Sequence, residues 1–255
     1  MNRIKEIFKN KTEKVIPFFT AGYPSKESMI DMVLEAEKAG ADMIELGMPF
    51  SDPLADGPII QESSQVAINN GVNISWIFSL VKTIRINSEI PLVLFGYINP
   101  IIKYGISKFL TDCKKTGVDG LIIPDLPPEE AESLIRKASE LDIVIILLVA
   151  PNTSNKRIEK ISKMAGSLIY CVAILGITGT DSADNDKLVD YLNRVERHSS
   201  CPFIVGFGIK NRIDVVEINK IAHGTVVGSA IIEKIQKSSN PITTVYKYIE
   251  SLTGR

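Results

Sequence analysis

Eight short, largely apolar runs return along this chain, each pair separated by a stretch long enough for a helix, and this recurrence restricts the fold more than any other feature. They read VIPFF (15–19), DMIEL (42–46), PLVLF (91–95), GLIIP (120–124), IVIILLV (143–149), LIYCVAI (168–174), PFIVGFG (202–208) and TVVGSA (225–230). The runs are continuous rather than alternating, as expected of strands covered on both faces in a parallel sheet.

Amphipathic stretches of helical period fill the gaps. In SKESMIDMVLEAEKAG (25–40), Ser25 is placed to N-cap, Glu27 falls in the first turn and Gly40 ends the helix. PPEEAESLIRKASELD puts prolines and acids at a helix start, while SNKRIEKISKMAG and NRIDVVEINKIAHG run to a terminal glycine. Eight strand-then-helix units in 255 residues match an α/β chain closed into a (β/α)8 TIM barrel. A doubly wound open sheet is the rival, but it usually carries a GxGxxG or P-loop after an early strand, and neither occurs. No Pro/Gly/Ser-rich linker divides the chain, so residues 1–255 read as one domain, large enough to bury a core without disulfide or metal staples.

Composition excludes several classes of function. Lys plus Arg total 29 against 30 Asp plus Glu, a net charge of −1 with no long like-charge block, which argues against a nucleic-acid or membrane-surface binder. Cys113, Cys171 and Cys201 lie far apart without CxxC spacing, so neither a disulfide framework nor a zinc site is expected. No window suits a signal peptide or a membrane span. The cytoplasm is the expected location, or the stroma if the chain is plastid-encoded.

In a barrel, function sits on the loops after the strands. The second run continues as IELGMPFSDPLADGPIIQ (44–61), and everything from Gly47 to Pro58 is expected to overhang the mouth. Glu45 is the odd residue inside an otherwise apolar strand. Facing the lumen or rim, its carboxyl is raised towards neutrality by desolvation and suits proton transfer, whereas a lysine or backbone partner would make it structural. Asp52 and Asp56 follow in a loop stiffened by Pro49, Pro53 and Pro58, able to hold a carboxylate over a pocket, although each could instead make a turn.

A second cluster forms near the C-terminus. GITG follows the sixth strand, GFG lies at the seventh and VVGSA at the eighth, which gathers Gly179, Gly206, Gly208, Gly228 and Ser229 on one side of the mouth. Backbone N–H groups there and the positive end of a helix starting near Ser229 suit a phosphate, a known arrangement of this fold. His198 and His223 are expected at helix ends away from the mouth, and the strands lack an internal lysine, so a histidine triad and a Schiff-base aldolase are disfavoured. Acid–base chemistry by carboxylates on a phosphorylated substrate remains.

The motifs PFFTAGYP, IELGMPFSDPLADGPIIQ, PDLPPEE, GITG, GFGI and VVGSAII, in this order along nearly the whole chain, resemble the tryptophan synthase alpha subunit family. The resemblance implies cleavage of indole-3-glycerol phosphate to indole and glyceraldehyde 3-phosphate, without metal or organic cofactor. It implies Glu45 as general acid–base and Asp56 as the carboxylate facing the indole N–H. Phe18, Ile60, Tyr170 and Thr178 match substrate-binding positions, the first three of which could equally be core. Gly179, Phe207, Gly208, Gly228 and Ser229 match the phosphate motifs. The chain departs from the family at VAIL before GITG and TDSADND after it, which bears on loop closure.

The resemblance also implies a beta subunit partner in an α2β2 heterotetramer, docked on an apolar rim formed by Pro49, Asp52, Pro53 and YINPI (97–101). A free-standing indole-releasing lyase is a second reading, and a barrel that only binds a phosphorylated metabolite or regulates a beta subunit is a third.

Overall fold

The computed structural model describes residues 2–172, 182–206 and 208–255, without the side chains of 182–185. Strands β1 (Val15–Thr20), β2 (Ile44–Gly47), β3 (Leu92–Phe95), β4 (Gly120–Ile122), β5 (Val144–Val149), β6 (Ile169–Val172), β7 (Phe203–Gly206) and β8 (Thr225–Val227) occupy the eight apolar runs, most of them trimmed at one or both ends. They pair in parallel, each with the next, and β1 pairs with β8, closing the barrel.

Among the described residues, the helices are α1 (Arg3–Ile7), α2 (Met29–Lys38), α3 (Pro58–Asn69), α4 (Ile74–Ile84), α5 (Ile98–Tyr104), α6 (Ile106–Thr116), α7 (Pro128–Glu140), α8 (Asn155–Ala165), α9 (Ser182–His198), α10 (Arg212–Asn219), α11 (Ser229–Gln236) and α12 (Pro241–Thr253). None is long and apolar enough to cross a membrane.

Two helix boundaries differ from expectation. Helix α2 begins at Met29 behind Ser28, and Ser25 makes a preceding turn by accepting the Ser28 N–H at 3.4 Å. Glu27 therefore lies outside the helix and Asp31 occupies its first turn. Helix α10 stops at Asn219, five residues before the glycine expected to end it, because His223 N–H already bonds Phe203 C=O at 2.9 Å to start the next strand. Its other end is well defined, since Asn211 and Asp214 form a reciprocal capping box.

Register decides what faces the lumen, since residues paired across parallel strands share a side of the sheet. Phe18 pairs with Glu45, Glu45 with Val93 and Val93 with Gly120, so the Glu45 carboxyl sits in one interior row with a phenyl ring and a valine. The row above holds Gly47 and Phe95. Tyr170 and Gly206 point to the same interior from β6 and β7, because Tyr170 pairs with Ile204, two residues before Gly206.

The opposite end of the barrel is sealed by structure alone. Ile4 of α1 reaches the floor, where a Cβ on Gly120 would stand 2.7 Å from Ile4 Cδ1. Asn2 donates to the carbonyls of Asp119 and Asp142 at 2.8 and 2.7 Å. The Asp119 carboxylate, almost fully buried, accepts from Arg85 at 2.7 Å, Arg3 at 3.0 Å and Leu92 N–H at 2.9 Å. These interactions pin the N-terminal segment across the floor, and the chemistry is left to the mouth.

Candidate active site

Glu45 is 1% exposed, and its Oε1 meets no hydrogen-bond partner among the described residues. A buried carboxylate without a partner is costly, so the proton is retained: desolvation pushes the group up to about 8. Glu45 is therefore an acid at neutral pH, held ready on a strand rather than on a mobile loop.

Aromatic and small residues shape the space in front of it. Phe18 meets Phe95 edge to face with centroids 5.7 Å apart, and Phe95 meets Tyr170 at 6.4 Å. Gly47 makes room for the first ring, since a Cβ there would lie 2.4 Å from Phe18 Cζ. The Tyr170 hydroxyl is held well above its ordinary value, first by burial and then by the negative charges of Glu45, Cys171 and Asp56. Tyr170 thus feels both Glu45 and Asp56, although the three come from β6, β2 and the β2–α3 loop.

The loop carrying Asp56 is tightly braced. Leu54 N–H bonds Asp52 C=O at 3.0 Å and Asp56 N–H bonds Pro53 C=O at 3.1 Å, while Gln61 donates to Asp56 C=O at 2.8 Å. Tyr97, buried just after β3, accepts the Ala55 N–H on its hydroxyl at 2.9 Å and lies beside the Asp56 carboxyl. Phe50 packs on the Tyr97 ring at 5.3 Å. Burial raises Asp56 above the ordinary carboxylate range, and the Tyr97 hydroxyl opposes the rise. Gly57 is extended, with φ −75°, and N-caps α3, whose first turn places Ile60, buried, below the loop. Ser63 donates to Ile60 C=O at 2.8 Å and bonds Thr20 at 2.6 Å, fixing α3 to the end of β1.

On the other side, Gly228 N-caps α11 and Ser229 is its first residue, as expected. Gly208, in the β7–α10 loop, is exposed, and a Cβ there would meet none of the described residues within 4 Å, which leaves it unobstructed among them. Thr178, Gly179 and Phe207 lie outside the described residues, as does the VAIL departure after Val172.

Sequence reading passed over Tyr97, Phe95, Gly47 and the Thr20–Ser63 pair as parts of this site. For Tyr97, Phe95, Gly47 and Thr20 the only local signal was a place at the C-terminal end of a strand or just after it, and Ser63, inside α3, carried none. Reading YINPI as an exposed rim was wrong in part: Tyr97 and Ile101 are buried, and the exposed apolar residues there are Leu54, 92% exposed, and Ile102, 56% exposed.

A family model for the tryptophan synthase alpha chain matches residues 4–254. The tryptophan synthase alpha chain of Petrotoga mobilis is 44% identical over 253 residues, covering 99% of this chain and 98% of the relative. That of Thermoanaerobacter pseudethanolicus is 46% identical over 244 residues, covering 94% and 93%. Among solved structures, the Legionella pneumophila alpha subunit matches with a TM-score of 0.92 at 31% identity, covering 100% of this chain and 98% of that one. A chain from the tryptophan synthase α2β2 complex of Pyrococcus furiosus matches with a TM-score of 0.90 at 38% identity, covering 97% and 100%. Identity at this level over the whole length, on a barrel that closes in the same way, shows that the chain belongs to the tryptophan synthase alpha chain family.

Proposed function

We propose that this chain cleaves indole-3-glycerol phosphate into indole and glyceraldehyde 3-phosphate, with Glu45 as the acid–base group and Asp56 as the carboxylate at the indole N–H. One observation carries the reading. A lumen-facing carboxyl, fully buried and with an oxygen that meets no partner among the described residues, is kept protonated at neutral pH beside an aromatic wall whose Tyr170 also feels the Asp56 carboxylate.

The reaction needs a proton on indole C3 before the bond to the glycerol chain can break. Glu45 supplies it. The positive charge that then develops at the ring nitrogen is stabilised by Asp56 through the N–H. As the carbon–carbon bond breaks, its electron pair returns to the ring, the side-chain hydroxyl becomes the aldehyde, and the hydroxyl proton passes to the Glu45 carboxylate. Glu45 ends as it began, and the ring nitrogen serves as the electron sink, so the step requires no cofactor.

Phe18, Ile60 and Tyr170 line the heterocycle, and Thr178, outside the described residues, is assigned to the substrate by its match to the family motif alone. The phosphate takes N–H donors from Gly208, Gly228 and Ser229 at the positive end of α11, together with Gly179 and Phe207. The acids sit on apolar surface because an aromatic ring must be buried while its protons move. Residues 1–255 act as one domain.

A beta subunit is the proposed partner, supported by the α2β2 complex in which a similar chain occurs. Leu54 and Ile102, exposed near the Asp56 loop and the β3–α5 connection, are the apolar residues offered to it. The bacterial relatives support a cytoplasmic place of action.

The test is indole release from indole-3-glycerol phosphate by the purified chain and its Glu45→Gln variant, with and without a beta subunit. Unaltered indole release by the variant would remove the catalytic assignment. Strong activity without the beta subunit would favour a free-standing lyase, and none in either condition a binding-only barrel.

A further inference from the structure

We propose that Tyr248, on the outer helix α12 and away from the mouth, is a positioning residue that sets the β7–α10 loop against α11 and so determines affinity for the substrate's phosphate. The proposal rests on the reading that Gly208, Gly228 and Ser229 hold that phosphate.

Two backbone segments from different loops must converge on one anion, and N–H donors are effective only if their spacing is fixed before the ligand arrives. Tyr248 touches the first segment directly and the second only through its helix, at the last turn of α11. Its hydroxyl donates to the Lys210 carbonyl at 3.0 Å, two residues beyond Gly208. Its ring lies beneath the Lys234 ammonium of α11, 4.6 Å from the centroid. The other backbone group of Lys210 is held as well, since its N–H donates to Asp214 at 2.8 Å within the α10 cap. Between these clamps and Gly208 stands Ile209, 3% exposed and anchored in the core. The loop's orientation is thus set by side chains that never meet the ligand.

The ring is almost fully buried, and burial together with the charges of Asp214 and Glu233 pushes its hydroxyl up to about 12, so it remains a donor at any working pH. Nothing in the local sequence of α12 marks Tyr248 out, because it is one of several apolar positions on the buried face.

The test is Tyr248→Phe, which keeps the ring and deletes the donor. We expect KM for indole-3-glycerol phosphate and the inhibition constant of inorganic phosphate both to rise about three- to tenfold. The kcat should stay within about twofold and the dissociation constant of indole, which has no phosphate, should not move. Asp214→Ala, which frees Lys210 from the other side, should give the same split, and it decides the matter alone if Tyr248→Phe does not fold. Unaltered phosphate affinity, or equal weakening of indole, overturns the proposal. If the wild-type chain is inhibited by phosphate while Tyr248→Phe behaves identically, only the role of Tyr248 falls. If the wild-type chain neither cleaves the substrate nor responds to phosphate, the reading beneath it falls too.

Discussion

The Tyr170 hydroxyl occupies the volume that a side chain on Gly206 would need: a Cβ built there stands 1.9 Å from the oxygen and 2.5 Å from ring carbon Cζ. Glycine at the end of β7 therefore leaves room for the tyrosine of the neighbouring β6 in the interior where it feels Glu45 and Asp56. Gly206→Ala should displace Tyr170, costing about 1–3 kcal/mol of stability through overpacking and about tenfold to a hundredfold in kcat/KM through misplacement. Adding Tyr170→Phe should not restore activity, since the ring carbons collide as well as the oxygen. Denaturant melts and steady-state indole release check both parts.

Glu45 makes stability depend on pH. Its folded-state value of about 8 lies above the ordinary 4.5 of the unfolded chain, so between these limits the unfolded state releases a proton that the folded state keeps. This group's contribution is thus fully favourable below pH 4.5 and is lost as pH rises through 8. At pH 7 the penalty is about 3 kcal/mol. Glu45→Gln should remove it, gaining stability over the wild type as pH increases across this window, while kcat falls by about a hundredfold or more. Urea titrations of both proteins from pH 4.5 to 8.5 measure the difference.

For the wild type, the acid form of Glu45 is the one that protonates C3. Activity should decline as pH rises through about 8. A kcat/KM profile without a basic limb would contradict that assignment.

Tyr97 braces the Asp56 loop and depresses the carboxyl beside it. Tyr97→Phe deprives Ala55 N–H of its acceptor and lets Asp56 rise further, so the acidic limb of kcat/KM should move to higher pH. The rate at the optimum should drop about tenfold, the scale of losing one hydrogen bond with its buried partner left unpaired. The pH profile separates this from a simple loss of folding.

At the opposite end, Asp119 joins Arg85, Arg3 and the Leu92 N–H beneath the barrel. Asp119→Ala leaves Arg85, largely buried, without its carboxylate and should destabilise by about 3–5 kcal/mol. KM should be unaffected at temperatures where the variant is folded. Unfolding midpoints and KM together test whether the floor serves stability alone.

The sequence by itself determined the strand inventory, the parallel closed sheet, and the acid at position 45, because these are written in local chemistry. A run such as IVIILLV is tolerable only where both faces are covered, and a glutamate within IEL is conspicuous for the same reason. Tertiary structure alone decided which side chains share the lumen. Whether Tyr170 lies across from Gly206, whether Tyr97 is rim or brace, and whether Leu54 or Ile101 meets solvent all depend on register around a closed ring. Each pairing joins residues tens of positions apart, and a one-residue slip turns every side chain to the other face. The start of α2 at Met29 rather than after Ser25 has a similar origin: several serines could cap, and the packing of Met29 and Met32 against the barrel chose among them.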